Sequence, residues 1–161
     1  MNAVGPVWHA EPHQAADVAR LLLAFRDWLG GDHPGEAEMR SSVDRLVSDP
    51  AAEFLLAASD EAAPPSGVCQ LRFRHSVWTS AEDCWLEDLF VEESARRRGL
   101  GRALVEAAFE RARARGAHRI ELDTNETNTT AIALYEACGF STMSKSGGAL
   151  SGRDLFLGRE L

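Results

Sequence analysis

Cys84-Trp85-Leu86-Glu87-Asp88-Leu89-Phe90-Val91 is an apolar run carrying two adjacent acids. A short polar turn follows it, Glu92-Glu93-Ser94-Ala95, and then Arg96-Arg97-Arg98-Gly99-Leu100-Gly101-Arg102. The run reads as a strand, because it is short, apolar and bounded by polar turn residues. Beyond Gly101 the pattern changes. Leu104, Ala108 and Ala112 form one stripe with Val105 and Phe109 beside it, and Gly116 stands where a helix cap belongs. Strand, glycine turn and helix start in that order make an anion cradle. The first amides of a helix have no partner within it, the helix dipole favours negative charge, and Gly99 and Gly101 let a phosphate approach the backbone. Two nucleotide loops are excluded. The segment has no Lys for a Walker loop, and Leu104 stands where a dinucleotide fingerprint needs its third Gly, although Asp123 falls at a suitable distance.

Working outward, Glu53-Phe54-Leu55-Leu56-Ala57-Ala58 and Val68 to Arg74 are strand candidates joined by the breaker cluster Glu61 to Gly67, a hairpin loop. Arg119 to Asp123 is a further strand. Ala15, Val18, Leu22 and Phe25 place a helix over Pro12–Leu29, a shorter one spans about Glu36 to Val47, and another runs from Thr129 to Cys138. Leu155-Phe156-Leu157 reads as a last strand. The predicted order is strand, helix, helix, three strands, helix, strand, helix, strand. That is a mixed α/β protein with a strand–helix–strand crossover between Phe90 and Ile120.

A length of 161 residues with 45% hydrophobic and 26% charged side chains suits one globular domain and excludes disorder and fibrous repeats. No apolar run spans a membrane, and Met1 to Ala10 lack a signal-peptide core, so the expected location is cytoplasmic. Cys69, Cys84 and Cys138 are scattered and form no CxxC, which predicts reduced thiols. The five His show no metal spacing, so no metal is expected. The net charge of −8 is uneven: residues 1–95 carry 17 acids against 6 Arg, and residues 96–161 carry 8 acids against 11 Arg and Lys. The acidic part disfavours nucleic acid and suits a cationic partner.

Arg96-x-x-Gly99-x-Gly101 after a strand ending in Val91 resembles the acetyl-CoA pyrophosphate motif of the GNAT N-acetyltransferase superfamily. Asn128, Ala131, Leu134-Tyr135 and Gly139-Phe140 match the second half of that family's pattern, and together the motifs cover about a third of the chain. The resemblance implies an α/β (α+β) GNAT fold formed as one domain over residues 1–161. Its central sheet is mixed and mostly antiparallel, flanked by helices, and two parallel strands splay apart at the acyl-CoA site. It implies that backbone groups of Leu89, Phe90 and Val91 bind the pantetheine, with the Val91 amide polarising the acetyl carbonyl. The pyrophosphate falls to amides from about Arg97 to Arg102 (Arg97, Arg98, Gly99, Leu100, Gly101, Arg102) and to the Arg96 side chain. Asn128 reads as a helix N-cap, and the resemblance implies a contact to the pantetheine arm as well, the two roles being compatible.

Direct acetyl transfer needs a neutral amine, a donor for the carbonyl oxygen and a proton for the leaving thiolate. Leu86 to Val91 resembles the strand of spermidine/spermine-type acetyltransferases, whose equivalent of Glu87 is the general base, often through water. Asp88 faces the other way on an ideal strand unless a bulge intervenes. Tyr135, the chain's only tyrosine, stays protonated at neutral pH and matches the family's general acid. Trp28 and Trp78 are candidate walls of an acceptor pocket, with Asp27 and Asp32 as added negative charge. The expected function is acetyl transfer from acetyl-CoA, a co-substrate, to a primary amine of a small cationic acceptor such as a polyamine or amino sugar. Protein N-terminal or lysine acetylation, a catalytically silent acyl-CoA-binding module and a homodimer stay open as alternatives.

Overall fold

The structure, a computed structural model, describes residues 5–141 and Arg159. The chain divides into two compact units, Met1–Asn125 and Glu126–Leu161. The first contains β1 (Val7–His9), α1 (Ala15–Trp28), α2 (Glu36–Leu46), β2 (Ala52–Ala57), β3 (Gly67–Ser76), β4 (Ala81–Val91), α3 (Leu100–Ala114) and β5 (Ile120–Glu121). The second contains α4 (Thr129–Ala137). The expected order of elements holds over this range. The strand expected around Leu155 lies outside the described residues.

The sheet runs β1-β2-β3-β4-β5, antiparallel throughout except for the parallel pair β4–β5. That pair is the product of the crossover through α3, since parallel neighbours cannot be joined by a tight turn. Alternation sorts the side chains onto two faces. Phe54, Leu56, Val68 and Phe90 pack with Val18, Leu21 and Leu22 of α1 and Val43 of α2. The opposite face, which carries Leu55, Cys69, Leu71, Cys84 and Leu86, is covered by α3 through Leu104, Val105, Ala108 and Ala112, all buried. With both faces covered, β2 is buried along its whole length, and its unbroken apolar run in the sequence follows from that.

Helix ends follow local chemistry. The Glu38 carboxylate accepts from the Gly35 amide (2.9 Å) at the start of α2. Gly116 takes φ +75° after α3, and the Ala117 amide reaches back to the Ala112 carbonyl (2.9 Å), closing the helix as its sequence position suggested.

Candidate active site

The first feature of the site is a gap in the sheet. β4 and β5 pair only at Cys84–Ile120 and Trp85–Glu121, and β4 continues to Val91 while β5 ends. From Leu86 onward the outer edge of β4 therefore has no β5 register partner, which is the parting of two parallel strands that the resemblance implied. Which amides face that edge follows from the pairing with β3. The Glu92 amide donates to the Ser66 carbonyl (2.8 Å), and the register continues as Val91–Gly67, Phe90–Val68, Leu89–Cys69 and Asp88–Gln70. Hydrogen-bonded and non-hydrogen-bonded pairs alternate in an antiparallel ladder. Phe90 and Asp88 thus spend their backbone groups on β3, whereas Leu89 and Val91 turn theirs toward the gap. Leu89 and Val91 therefore turn their amides to the gap, the Val91 carbonyl accepts from Arg96, and Phe90 contributes its ring to the core of the α1 face.

The second feature is a bulge at Glu87. Gln70 faces Asp88 and the next residue, Leu71, faces Leu86, so Glu87 is the extra residue. Asp88 shares the α1 face with Phe90, two residues on, whereas Leu86 across the bulge lies on the α3 face. Glu87 is exposed and Asp88 half-buried. Burial first, and then the charges of Glu87 and Asp123, push the Asp88 carboxyl up to about 6. Asp123 comes from the segment just after β5, so the charges of Glu87 and Asp123 both reach Asp88 beside the parting strands. Sequence reasoning turned Asp88 away from Glu87 unless a bulge intervened, and no residue type announces a bulge; two acids inside an apolar strand were the available signal. Asp123 drew notice only as a dinucleotide feature.

The third feature is the turn into α3. Arg97 has φ +62° and Gly99 φ +83°, and left-handed positions in such a turn swing successive amides to one side. A non-glycine residue in that region is strained by about 1–3 kcal/mol and is commonly found where function requires it. Arg97, Arg98, Gly99 and Arg102 are exposed at the open N-terminus of α3, Gly101 is half-exposed, and Leu100 buries its side chain (1% exposed) to anchor the turn. An open helix N-terminus beside exposed Arg97, Arg98 and Arg102 is an electropositive end of the kind that attracts anions. Arg96 differs from its neighbours. Its Nε donates to the Val91 carbonyl (2.9 Å), and its guanidinium lies over the rings of Trp28 (5.2 Å) and Phe90 (5.8 Å).

The other candidates separate cleanly. Trp28, at the end of α1, stacks on Phe25, which stacks on Phe90, so it belongs to the Asp88 face. Trp78 is 94% exposed in the β3–β4 turn, on the order of 30 Å along β4 from Val91. It is no wall of the same pocket. Asp27 is paired with Arg26 (2.6 Å), and Glu92 with Arg20 (2.7 Å). Cys69 and Cys84 are free and buried, and burial pushes both thiols up, Cys84 to about 12, which leaves them inert at neutral pH. No cluster of three potential metal ligands occurs among the described residues, nor is any helix there long and apolar enough to cross a membrane.

In the second unit, the Asn128 side chain caps α4 by accepting from the Ala131 amide (3.3 Å). Tyr135 is buried at 9% exposure, its ring edge-on to Phe140 (5.7 Å). The contact belongs to the helix terminus itself: Gly139 has φ +91° and the Phe140 amide returns to the Tyr135 carbonyl (3.0 Å). The Tyr135 ring is therefore fixed by local packing.

Comparison with known proteins agrees with these features. The model of the acetyltransferase (GNAT) family matches residues 20–140. An aminoglycoside N(6')-acetyltransferase type 1 from Klebsiella aerogenes is 34% identical over 142 residues, covering 83% of this chain and 90% of its own. Glucosamine 6-phosphate N-acetyltransferase 1 from Oryza sativa subsp. japonica is 27% identical, covering 84% and 82%. A crystal structure from Arthrobacter sp. FB24, assigned to the acetyltransferases, superposes with a TM-score of 0.84 at 32% identity, covering 100% of this chain and 99% of that one. The parted strands, the cradle at α3 and these likenesses agree: the chain belongs to the acetyltransferase (GNAT) family and is an acetyl-CoA-dependent N-acetyltransferase.

Proposed function

We propose that the chain, acting as one domain, acetylates a primary amine of a small, multiply cationic acceptor, with amino sugars the favoured class and polyamines next. The observation that carries this reading is the set of carboxylates beside the parted strands, Glu87 and Asp88 in the strongly acidic part of the sequence and Asp123 beyond it. Carboxylates held together concentrate cations and draw protons from them. The names of the relatives support the amino-sugar class, since one acts on aminoglycosides and another on glucosamine 6-phosphate.

Acetyl-CoA supplies the activated acetyl group. Amides from Arg97 to Arg102 hold its pyrophosphate. Leu89 and Val91 hold the pantetheine in strand-like register, and the Val91 amide donates to the acetyl oxygen as charge grows there. Asn128, already a cap, adds a contact to the pantetheine arm. Glu87 meets the incoming ammonium and takes its proton, directly or through water. Asp88, poised near 6, is a second carboxylate base suited to neutral pH. Tyr135 donates its phenol proton to the departing thiolate.

A thiol-release assay over a panel of amino sugars, polyamines and lysine- or N-terminal peptides tests the reading. Turnover with amino sugars at kcat/KM well above that for peptides is expected, and a peptide-only profile overturns it. In the same assay Tyr135→Phe is expected to lower kcat about tenfold to a thousandfold with its melting temperature kept. Full activity in a stable variant removes Tyr135 from the mechanism.

A further inference from the structure

Four side chains from three places in the chain form a closed circuit. Phe25 and Trp28 lie on the last turns of α1, Phe90 near the end of β4, and Arg96 in the turn before α3. Phe25 stacks on Trp28 (6.1 Å between centroids) and on Phe90 (5.3 Å). The Arg96 guanidinium covers Trp28 and Phe90 at 5.2 and 5.8 Å, within cation–π reach of both. It is also fixed from below, because Nε donates to the Val91 carbonyl at 2.9 Å. A planar, delocalised cation that hydrogen-bonds through its edge while stacking through its faces is a role lysine cannot copy.

We propose that Arg96 is a positioning residue. It locks the end of β4, whose Leu89 and Val91 amides face the gap, to the end of α1, which covers the face carrying Asp88. The strand that receives the acetyl-thioester and the helix beside the acceptor are thereby set as one piece. This extends the acetyl-transfer reading given above and assigns Arg96 a duty other than the direct pyrophosphate contact its motif position implies. Half of Trp28 remains open to solvent (48% exposed), so its indole is also a reporter of the circuit.

The consequence is a particular pattern of variants. Arg96→Lys keeps the charge and loses the stacked fork. It is expected to lower kcat about tenfold to a hundredfold, the scale of a small misplacement of reacting groups, while acetyl-CoA affinity stays within about threefold. Trp28→Leu is expected to act in the same direction, Trp28→Phe to retain most of the rate, and the Arg96→Lys/Trp28→Leu double variant to be no slower than Arg96→Lys alone, as for two members of one unit. Acetyl-CoA titrated without acceptor is expected to change tryptophan emission in the wild type, and Trp28→Phe to lose most of that change. The proposal is overturned if Arg96→Lys weakens acetyl-CoA binding tenfold or more with kcat kept, if the two rate losses multiply, or if the emission change survives in Trp28→Phe. The emission arm needs no acceptor, so a wild type that turns over none of the amine panel defeats the proposed acceptor class and leaves the circuit to be judged by fluorescence.

Discussion

Carboxylates cluster at two places on the same sheet, and their surroundings are opposite. On the α3 face, Glu53 of β2 is 5% exposed and is held by Arg111 through both oxygens (2.6 and 2.8 Å) and by Arg115 (3.3 Å). Arg115 continues to Glu82 (2.8 Å) and the Pro50 carbonyl (2.7 Å) while stacking on Phe73 (3.8 Å). Burial pushes the Glu53 carboxyl up, yet the hydrogen bonds and charge of Arg111 outweigh it and hold the group below its ordinary value. On the α1 face, Asp88 has carboxylates as charged neighbours, Glu87 and Asp123, and is pushed up to about 6. The buried acid supplied with cations stays ionised, and the one with only carboxylate neighbours holds its proton more tightly.

The largest expected effect breaks the second cluster. Glu87→Gln is expected to lower kcat by about 10² to 10⁴ with acetyl-CoA affinity kept, the usual contribution of a general base. Its neighbour reads out differently. The wild-type rate is expected to fall as pH drops through about 6, where Asp88 takes up its proton, and Asp88→Asn to abolish that limb. A pH–kcat/KM profile of both variants checks this. An unchanged Glu87→Gln rate moves the base elsewhere, and an unchanged acid limb in Asp88→Asn removes Asp88.

Breaking the first cluster affects stability and leaves the chemistry alone. Arg111→Ala strands Glu53 with only the longer Arg115 contact. Losing one partner of a buried pair costs about 3–5 kcal/mol; partial exposure of Arg111 and the surviving Arg115 reduce that to about 2–3 kcal/mol at pH 7. The loss has a pH signature. In the wild type Glu53 is lowered from 4.5, so its contribution is present above that value and disappears as pH falls through the folded pKa. Without Arg111, burial raises it, so acid relieves the variant. The gap measured by urea unfolding is expected to be widest near neutrality and to close toward pH 4, with kcat of the folded enzyme retained.

The contrast also marks where sequence reading stops. The strand-to-helix turn at Val91–Leu104 was legible because glycine positions, helix stripe and crossover length each have a local cause, and the parallel β4–β5 pair followed from that crossover. The cap at Asn128 was legible for the same reason. The Glu53–Arg111–Arg115–Glu82 network was not: its members are far apart in the chain, and spacing says nothing about which acid faces which helix. For Asp88 the sequence left two orientations open, with and without a bulge, because no residue type marks the inserted residue at Glu87. Arg96 shows a related limit. Its motif position suggested a phosphate and gave no sign that Trp28 of α1 lies under its guanidinium.

The smallest expected effect sharpens the comparison, because it turns on the sign of one slope. Asp88 has a folded pKa of about 6 against an ordinary value of 3.8, the reverse of Glu53. Between those values the folded state binds more protons than the unfolded state. Stability contributed at this site is therefore greatest below about pH 4 and declines as pH rises to about 6. Above that, an ionised Asp88 is a standing cost. A tenfold difference in proton affinity between folded and unfolded chain corresponds to about 1.4 kcal/mol, and allowing for partial solvent access the cost at pH 7 is on the order of 1–2 kcal/mol. Asp88→Asn removes the charge with little change of shape. It is expected to melt higher than the wild type at pH 7, by about 2–8 °C for a chain of this size, and to match it near pH 4. Arg111→Ala converges on the wild type over the same acid range, but from below. Melting curves of the three proteins between pH 4 and 8 check both signs together, and parallel wild-type and Asp88→Asn curves across that range mean that Asp88 carries no strain for the reaction to draw on.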